Sequence, residues 1–282
     1  MVRSLALLVL VGCGRFGFGG TDDAGTDDAV IDGTPVVIDL CPELVGDQEH
    51  DEDGDSVGDE CDRCPHIAGT DVDLDNDGVG DACDPSVGTA ERIRAFATFE
   101  TGAPAGWTNT WRGTTGELAF TGDAARFELA RDDVGFLTMP DPGMPILLVE
   151  TRFTVEAISP NEGNPARNFA IVDGYDVQAD SGLMYGPVYD HNSPAAFGLF
   201  IIEVLNSVGN DTFDEDPIGG GFSFGVPYAL RFVRQSDQRT VILNEPSQRY
   251  MGSTTRPLTQ GGLIGLRSRG LRVRIDYAIV IY

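Results

Sequence analysis

Asp51, Asp53, Asp55, Asp59 and Asp62 form one run of carboxylates, and Asp73, Asp75, Asp77, Asp81 and Asp84 form a second. Both runs place their acids at relative positions 1, 3, 5, 9 and 12. At that spacing a short loop wraps oxygen ligands around one calcium ion, with a backbone carbonyl at position 7 (Val57 or Val79) completing the cage. No histidine or free thiolate belongs to the set, so it points away from zinc and copper. The expectation is at least two calcium ions, one per run.

The surroundings of these runs explain why they need ions. Residues 41–86 carry sixteen acids against one base, Arg63, with few large apolar side chains. Such a stretch repels itself and stays unfolded unless counterions neutralise it. The whole chain has a formal net charge of -26, and its 19 basic residues are all arginine. Clustered positive charge for phosphate binding is missing, which excludes nucleic acid as a partner. The absence of lysine excludes Schiff-base chemistry.

The acidic module repeats itself at a period near twenty-two residues. Cys41-Pro42 and Cys64-Pro65 head the two copies; Gly58-Asp59-Glu60-Cys61-Asp62 and Gly80-Asp81-Ala82-Cys83-Asp84 close them. Four cysteines allow three connectivities, and spacing alone does not choose among them. Cys61 and Cys64 also have the spacing of a zinc or redox pair, but a repeat frame already claims each of them.

The pattern Cys-Pro, spacer, Asp-x-Asp-x-Asp-Gly-Val-Gly-Asp-x-Cys-Asp resembles the thrombospondin type 3 repeat. The second copy follows it closely. The first departs at Ser56, where position 6 usually holds glycine, the residue that makes the sharp turn without strain; its site is expected to bind more weakly. The resemblance implies disulfides Cys41–Cys61 and Cys64–Cys83. A dockerin repeats similar loops but follows them with helices, and Cys64-Pro65 and Asp84-Pro85 do not permit one here.

The N-terminus has one arginine and then a short apolar run, the pattern of an export signal too short to span a bilayer. Leu10-Val11-Gly12-Cys13 resembles the bacterial lipobox, which implies cleavage after residue 12 and lipidation of Cys13. With Cys13 assigned to lipid, the remaining four cysteines form an even set suited to an oxidising compartment. Residues 1–12 are thus expected to be a lipoprotein signal peptide and 13–40 a flexible acidic tether. Gly14 after Cys13 favours the outer membrane by analogy.

From residue 91 to 282 the composition changes. Short apolar stretches recur between Gly, Pro and Asp separators, and no long helical period competes, so the chain is expected to be mainly β, with a C-terminal sandwich after the irregular, disulfide-braced calcium module of residues 41–86. Residues 146–158, 197–205, 228–234, 240–243 and 271–282 are the clearest strands, and Phe222 to Phe224 is expected to be a shorter one. In the last, Leu271, Val273, Ile275, Tyr277, Ile279 and Ile281 alternate onto one face. Ser236-Asp237-Gln238 is expected to turn a hairpin.

Phe99-Glu100-Thr101-Gly102 before Gly106-Trp107, the paired strands around Tyr228–Phe232 and Val241–Leu243, and Gly265-Leu266-Arg267-Ser268 with Ile275-Asp276-Tyr277 are similar to the concanavalin A-like, laminin-G type jelly roll. That class includes glucanases, which present two carboxylates from one strand as Glu-x-Asp-x-Glu. No such run occurs. Asp214-Glu215-Asp216-Pro217 reads as a loop, His191 is a lone loop histidine, and no Gly-x-Ser-x-Gly elbow is present. The chain is therefore expected not to be an enzyme.

A binding role remains, with a carbohydrate or an envelope or extracellular protein as partner. Trp107, Trp111, Tyr175, Tyr185 and Tyr189 are the aromatics that could stack on a sugar, although Trp107 fits better as a core residue capping the sandwich edge. The sequence as a whole predicts an extracytoplasmic surface lipoprotein of a bacterium, held in the membrane by its lipid, in which a calcium-stiffened stalk presents a sandwich. The alternatives are a secreted glycan-active enzyme or a purely structural envelope spacer.

Overall fold

The computed structural model describes residues 40–44, 50–69, 72–112, 117–122, 124–128, 134–158, 166–190, 193–206, 208–257 and 261–282. The expected signal peptide, Cys13, most of the expected tether and His191 lie outside the described residues. Among those described there is no helix.

Among the described residues, fifteen strands make two antiparallel sheets. The eight-stranded sheet contains β1 (Ile93–Ala97), β3 (Glu117–Thr121), β4 (Ala124–Glu128), β6 (Ile146–Ile158), β11 (Pro227–Gln235), β12 (Gln238–Asn244), β13 (Arg249–Thr255) and β15 (Leu271–Ile281). Its order is β13-β12-β11-β6-β15-β4-β3, with β1 also pairing β15. The seven-stranded sheet contains β2 (Thr108–Arg112), β5 (Val134–Pro140), β7 (Ala166–Asp176), β8 (Ser181–Asp190), β9 (Ser193–Leu205), β10 (Val208–Pro217) and β14 (Leu263–Arg269) in the order β10-β9-β8-β7-β14-β5-β2. This is a jelly-roll sandwich. Alternate side chains such as Val149 and Phe153 of β6, Phe232 of β11, Phe169 of β7 and Tyr185 of β8 fill the space between the sheets, where Phe153 and Phe169 meet with ring centroids 4.3 Å apart. The β11–β12 hairpin closes with Gln235 opposite Gln238, so the turn itself is Ser236-Asp237, with Ser236 left-handed at φ 56°.

Three expectations need correction. Asp214-Glu215-Asp216-Pro217 is not a loop but the end of β10, an edge strand whose charged residues had hidden its period. Phe222 to Phe224 is not a strand; Phe222 instead plugs the core beside Phe197. The third concerns β15. Its pairing with β6 slips between Ile275 and Tyr277, leaving Asp276 as the extra residue of a bulge. Because side chains alternate, one extra residue exchanges the faces. Leu271, Val273 and Ile275 point into the sandwich, and so do Ala278 and Val280 beyond the bulge. Tyr277, Ile279 and Ile281 point outward, yet are buried.

The acidic module covers them. Cys64, Val79 and Cys83 pack with Leu148 of β6 and with Tyr277, Ile279 and Ile281 of β15, flanked by Ile67, Ile93, Phe96 and Val233. Polar contacts rim this small core. Arg231 donates to the Cys83 carbonyl at 3.3 Å, Gln235 to the Pro85 carbonyl at 2.7 Å, and Arg152 pairs with both Glu52 and Asp276. The module expected to stand as a stalk therefore lies flat on the outer face of the eight-stranded sheet. Residues 38–282 form one compact unit.

Candidate metal centre

Both copies fold into the same loop, and the aspartates do the folding. In the first, Asp51 accepts from Gly54 N–H at 2.7 Å and Ser56 N–H at 2.9 Å, Asp55 from Val57 N–H at 2.9 Å, and Asp59 from Glu52 N–H at 2.9 Å. In the second, Asp73 accepts from Gly78 N–H at 3.1 Å, Asp77 from Val79 N–H at 2.7 Å, and Asp81 from Leu74 N–H at 3.0 Å. Short acidic side chains that bond backbone two to five residues on are natural turn formers. The disulfides join Cys41 to Cys61 and Cys64 to Cys83.

Turning the backbone this tightly requires left-handed residues. Gly54 and Ser56 have φ 80° and 78° in the first loop, and Asn76 and Gly78 have φ 61° and 97° in the second. Ser56 thus adopts the conformation that glycine supplies at Gly78.

The loops bring three groups of carboxylates together. Asp51, Asp53 and Asp55 place ligand atoms within 4.8 Å of one another, and so do Asp73, Asp75 and Asp77. The third group is Asp77, Asp84 and Glu91. Asp62 and Asp84, the acids at position 12, each spend one oxygen on a backbone N–H, those of Cys64 and Ser86, at 2.7 and 2.6 Å.

Several carboxylate oxygens here are buried without a hydrogen-bond partner: Asp53 Oδ2, Asp84 Oδ2 and both oxygens of Glu91. Burying an unpaired carboxylate costs several kcal/mol, so the proton is held instead. Burial, then the charges of Asp84, Asp77 and Asp75, push the Glu91 carboxyl up to about 7. Asp84 and Asp53 are raised as well, chiefly by burial. Asp84 and Glu91 lie side by side as two acceptors with no donor between them. An oxygen-only set with unpaired, buried, mutually repelling carboxylates fits a hard divalent cation.

Glu91 is the ligand candidate that sequence reasoning missed. It lies beyond Pro85, outside the matched spacing. A signal existed nonetheless: Glu91 follows Asp77 by 14 residues as Gly69 follows Asp55, and both donate backbone N–H to that aspartate, at 2.6 and 3.3 Å. Extending the repeat alignment past the last cysteine would have placed Glu91 opposite Gly69.

The aromatics considered for sugar stacking are largely structural. Tyr175 and Tyr185 are fully buried, and Trp107 at 9% exposure belongs to the core with Phe99. Trp111 turns inward over Gly135, where a Cβ would come 2.3 Å from its ring, and meets Phe127 edge-on at 5.8 Å. Tyr189 is partly buried against Phe197 and Phe222.

No protein-family model matches the chain, and no curated protein matches it. Among solved structures, the exoplasmic/lumenal domain of VIP36 in its Ca2+/Man2-bound form is 12% identical, with a TM-score of 0.49, covering 65% of this chain and 85% of its own. The carbohydrate recognition domain of Emp47p is 13% identical, with a TM-score of 0.45, covering 65% and 92%. A protein from Shewanella oneidensis MR-1, SO2946, is 16% identical, with a TM-score of 0.47, covering 70% and 88%. Likeness at this level carries nothing about ligand or activity, and the jelly-roll architecture stands on the strand order given above.

Proposed function

We propose that this chain is an extracytoplasmic calcium-binding protein whose two acidic loops each hold calcium and thereby fasten the repeat module to the β-sandwich. The observation that carries the reading is the set of buried carboxylate oxygens left without partners, together with two loops prefolded around Asp51–Asp53–Asp55 and Asp73–Asp75–Asp77. Val57 and Val79 would add backbone carbonyls. Asp59 and Asp81, which bond the Glu52 and Leu74 N–H groups and so close the loops, would act directly or through water. Two disulfides in one module suit an oxidising compartment.

On this reading the protein is exported and lipidated at Cys13, and the sandwich binds a carbohydrate or an envelope protein rather than catalysing a reaction. The partner class rests on the fold class alone. A glycan array probed with and without calcium tests it, and silence on both arms beside capture of a defined envelope protein selects the protein partner.

The calcium reading has a direct test. Calorimetric titration of the chelator-treated full chain should show at least two ions bound, and Asp75→Ala or Asp53→Ala should weaken binding in its own loop. A ligand held at a hundred times its dissociation constant stabilises by about 2.7 kcal/mol per site, so the unfolding midpoint should rise with calcium. No heat and no stabilisation at millimolar calcium would refute the reading.

A further inference from the structure

Glu91 occupies an unusual place. It is 3% exposed, and neither of its oxygens has a hydrogen-bond partner. Beside it Asp84 keeps one oxygen buried and unpartnered, while Asp77 completes a group whose ligand atoms lie within 4.8 Å of one another. Two buried carboxylates thus hold three unpartnered oxygens, none of them facing solvent, and each offers a ligand atom to one group with Asp77.

The first copy of the repeat provides an internal comparison. Asp55 and Asp62 stand where Asp77 and Asp84 stand, with matching bonds to backbone N–H groups. The residue opposite Glu91 is Gly69, which has no side chain. The third carboxylate is therefore a feature of the second copy alone, supplied by the segment that leads into the sandwich. That segment is fixed at once to the sheet: Arg92 and Tyr282 exchange backbone hydrogen bonds, with N···O distances of 3.2 and 3.1 Å, and β1 begins at Ile93.

We infer that Asp77, Asp84 and Glu91 form a further divalent-cation site, distinct from the position-1, -3 and -5 sites of the two loops, in which the cation bridges the repeat module to the first strand of the sandwich. Asp77 serves both the Asp73–Asp75–Asp77 group and this one, so two ions in the second copy would share a bridging carboxylate. Asp75 stands close by, its Oδ2 accepting from Gly88 N–H at 2.7 Å on the same connecting segment. All donors are oxygens, which selects calcium over softer metals. Because one ligand belongs to the connecting segment, the cation resists any separation of module from sandwich. The inference rests on the calcium reading above and adds one site and one consequence to it.

The test uses the full chain, calcium alone, and two variants, Glu91→Gln and Glu91→Gly, the second reproducing the first copy. Calorimetry should show one fewer ion in each variant, or one site weakened about tenfold or more, since affinity in such cages follows the count of charged ligands. In thermal unfolding, both variants should gain less stability from calcium than the parent does. Hydrogen exchange at residues 86–97 should slow on calcium addition in the parent and respond less in the variants. Calcium binding by the parent that is unchanged in number and affinity in both variants would overturn the inference while leaving the loop sites standing. No binding by the parent would instead remove the calcium reading itself.

Discussion

Exchanging Ser56 and Gly78 tests whether left-handed backbone sets the difference between the two loops. Ser56 sits at φ 78° and Gly78 at φ 97°, and each donates its N–H to the first aspartate of its own loop. A residue with a Cβ pays about 1–2 kcal/mol for the left-handed region. Glycine avoids that cost but gives back about 0.5–1 kcal/mol through the greater freedom of its unfolded chain. Ser56→Gly should therefore stabilise the calcium-saturated protein by about 0.5–1 kcal/mol. For a folded unit of this size that raises the melting midpoint by roughly 2 °C. Gly78→Ser should cost about the same amount or slightly more. An added Cβ at Gly78 meets nothing within 4 Å, so backbone strain is the whole effect. Urea unfolding in saturating calcium measures both changes. Calorimetry should show first-loop affinity rising by up to about fivefold in Ser56→Gly, the equivalent of 1 kcal/mol. If Ser56→Gly destabilises, or Gly78→Ser is tolerated without loss, the assignment of the difference to backbone strain is wrong.

The remaining predictions concern how the module is held. Ile279→Ala should destabilise by about 3 kcal/mol, because this outward-facing side chain is fully buried under the module; a loss under about 0.5 kcal/mol in denaturant titration would mean that the module stands free of the sheet. Glu150 lies beneath the module: burial raises its carboxyl, but the His66 imidazole 3.5 Å away, the charge of Arg231 and the Tyr277 hydroxyl outweigh this and leave it below the ordinary 4.5. Its contribution is thus complete above about pH 4.5 and lost as pH falls through the lowered value, so Glu150→Gln should cost about 2 kcal/mol at pH 7 and flatten the acid limb of the stability profile. An acid limb identical to the parent's would contradict this. Replacing Cys64 and Cys83 together by serine should cost about 3 kcal/mol in calcium, from the loop closure their disulfide provides, and should weaken calcium binding at the second loop more than at the first.

What the sequence determined by itself is local. Carboxylates at positions 1, 5 and 9 bond backbone within their own loop, so their spacing alone specified both turns, and the β-branched alternation of β6 and β12 specified strands facing a core. The cysteine spacing left three connectivities open, and only the resemblance to a known repeat favoured the pairs that the structure contains.

The tertiary structure decided whatever depends on a second element. One extra residue at Asp276 turned Tyr277, Ile279 and Ile281 outward, and periodicity in a single strand cannot reveal a bulge that exists only in its pairing with β6. The apolar surface so created is what the module covers, which converted an expected stalk into a docked layer. Buried ion pairs such as Arg234 with Asp141, at 2.9 Å, and Arg239 with Asp173, at 3.3 Å, join residues more than sixty positions apart and leave no mark on local pattern. Glu91 shares this dependence on the fold: its repeat offset from Asp77 is legible, but its burial is not. In the sequence it is one acid among 45; beside Asp84 and Asp77 in the fold it becomes a buried carboxylate with no partner. Spacing could specify the loops because their ligands are covalent neighbours, whereas only folding could show where a loop meets the sheet and which charge is trapped between them.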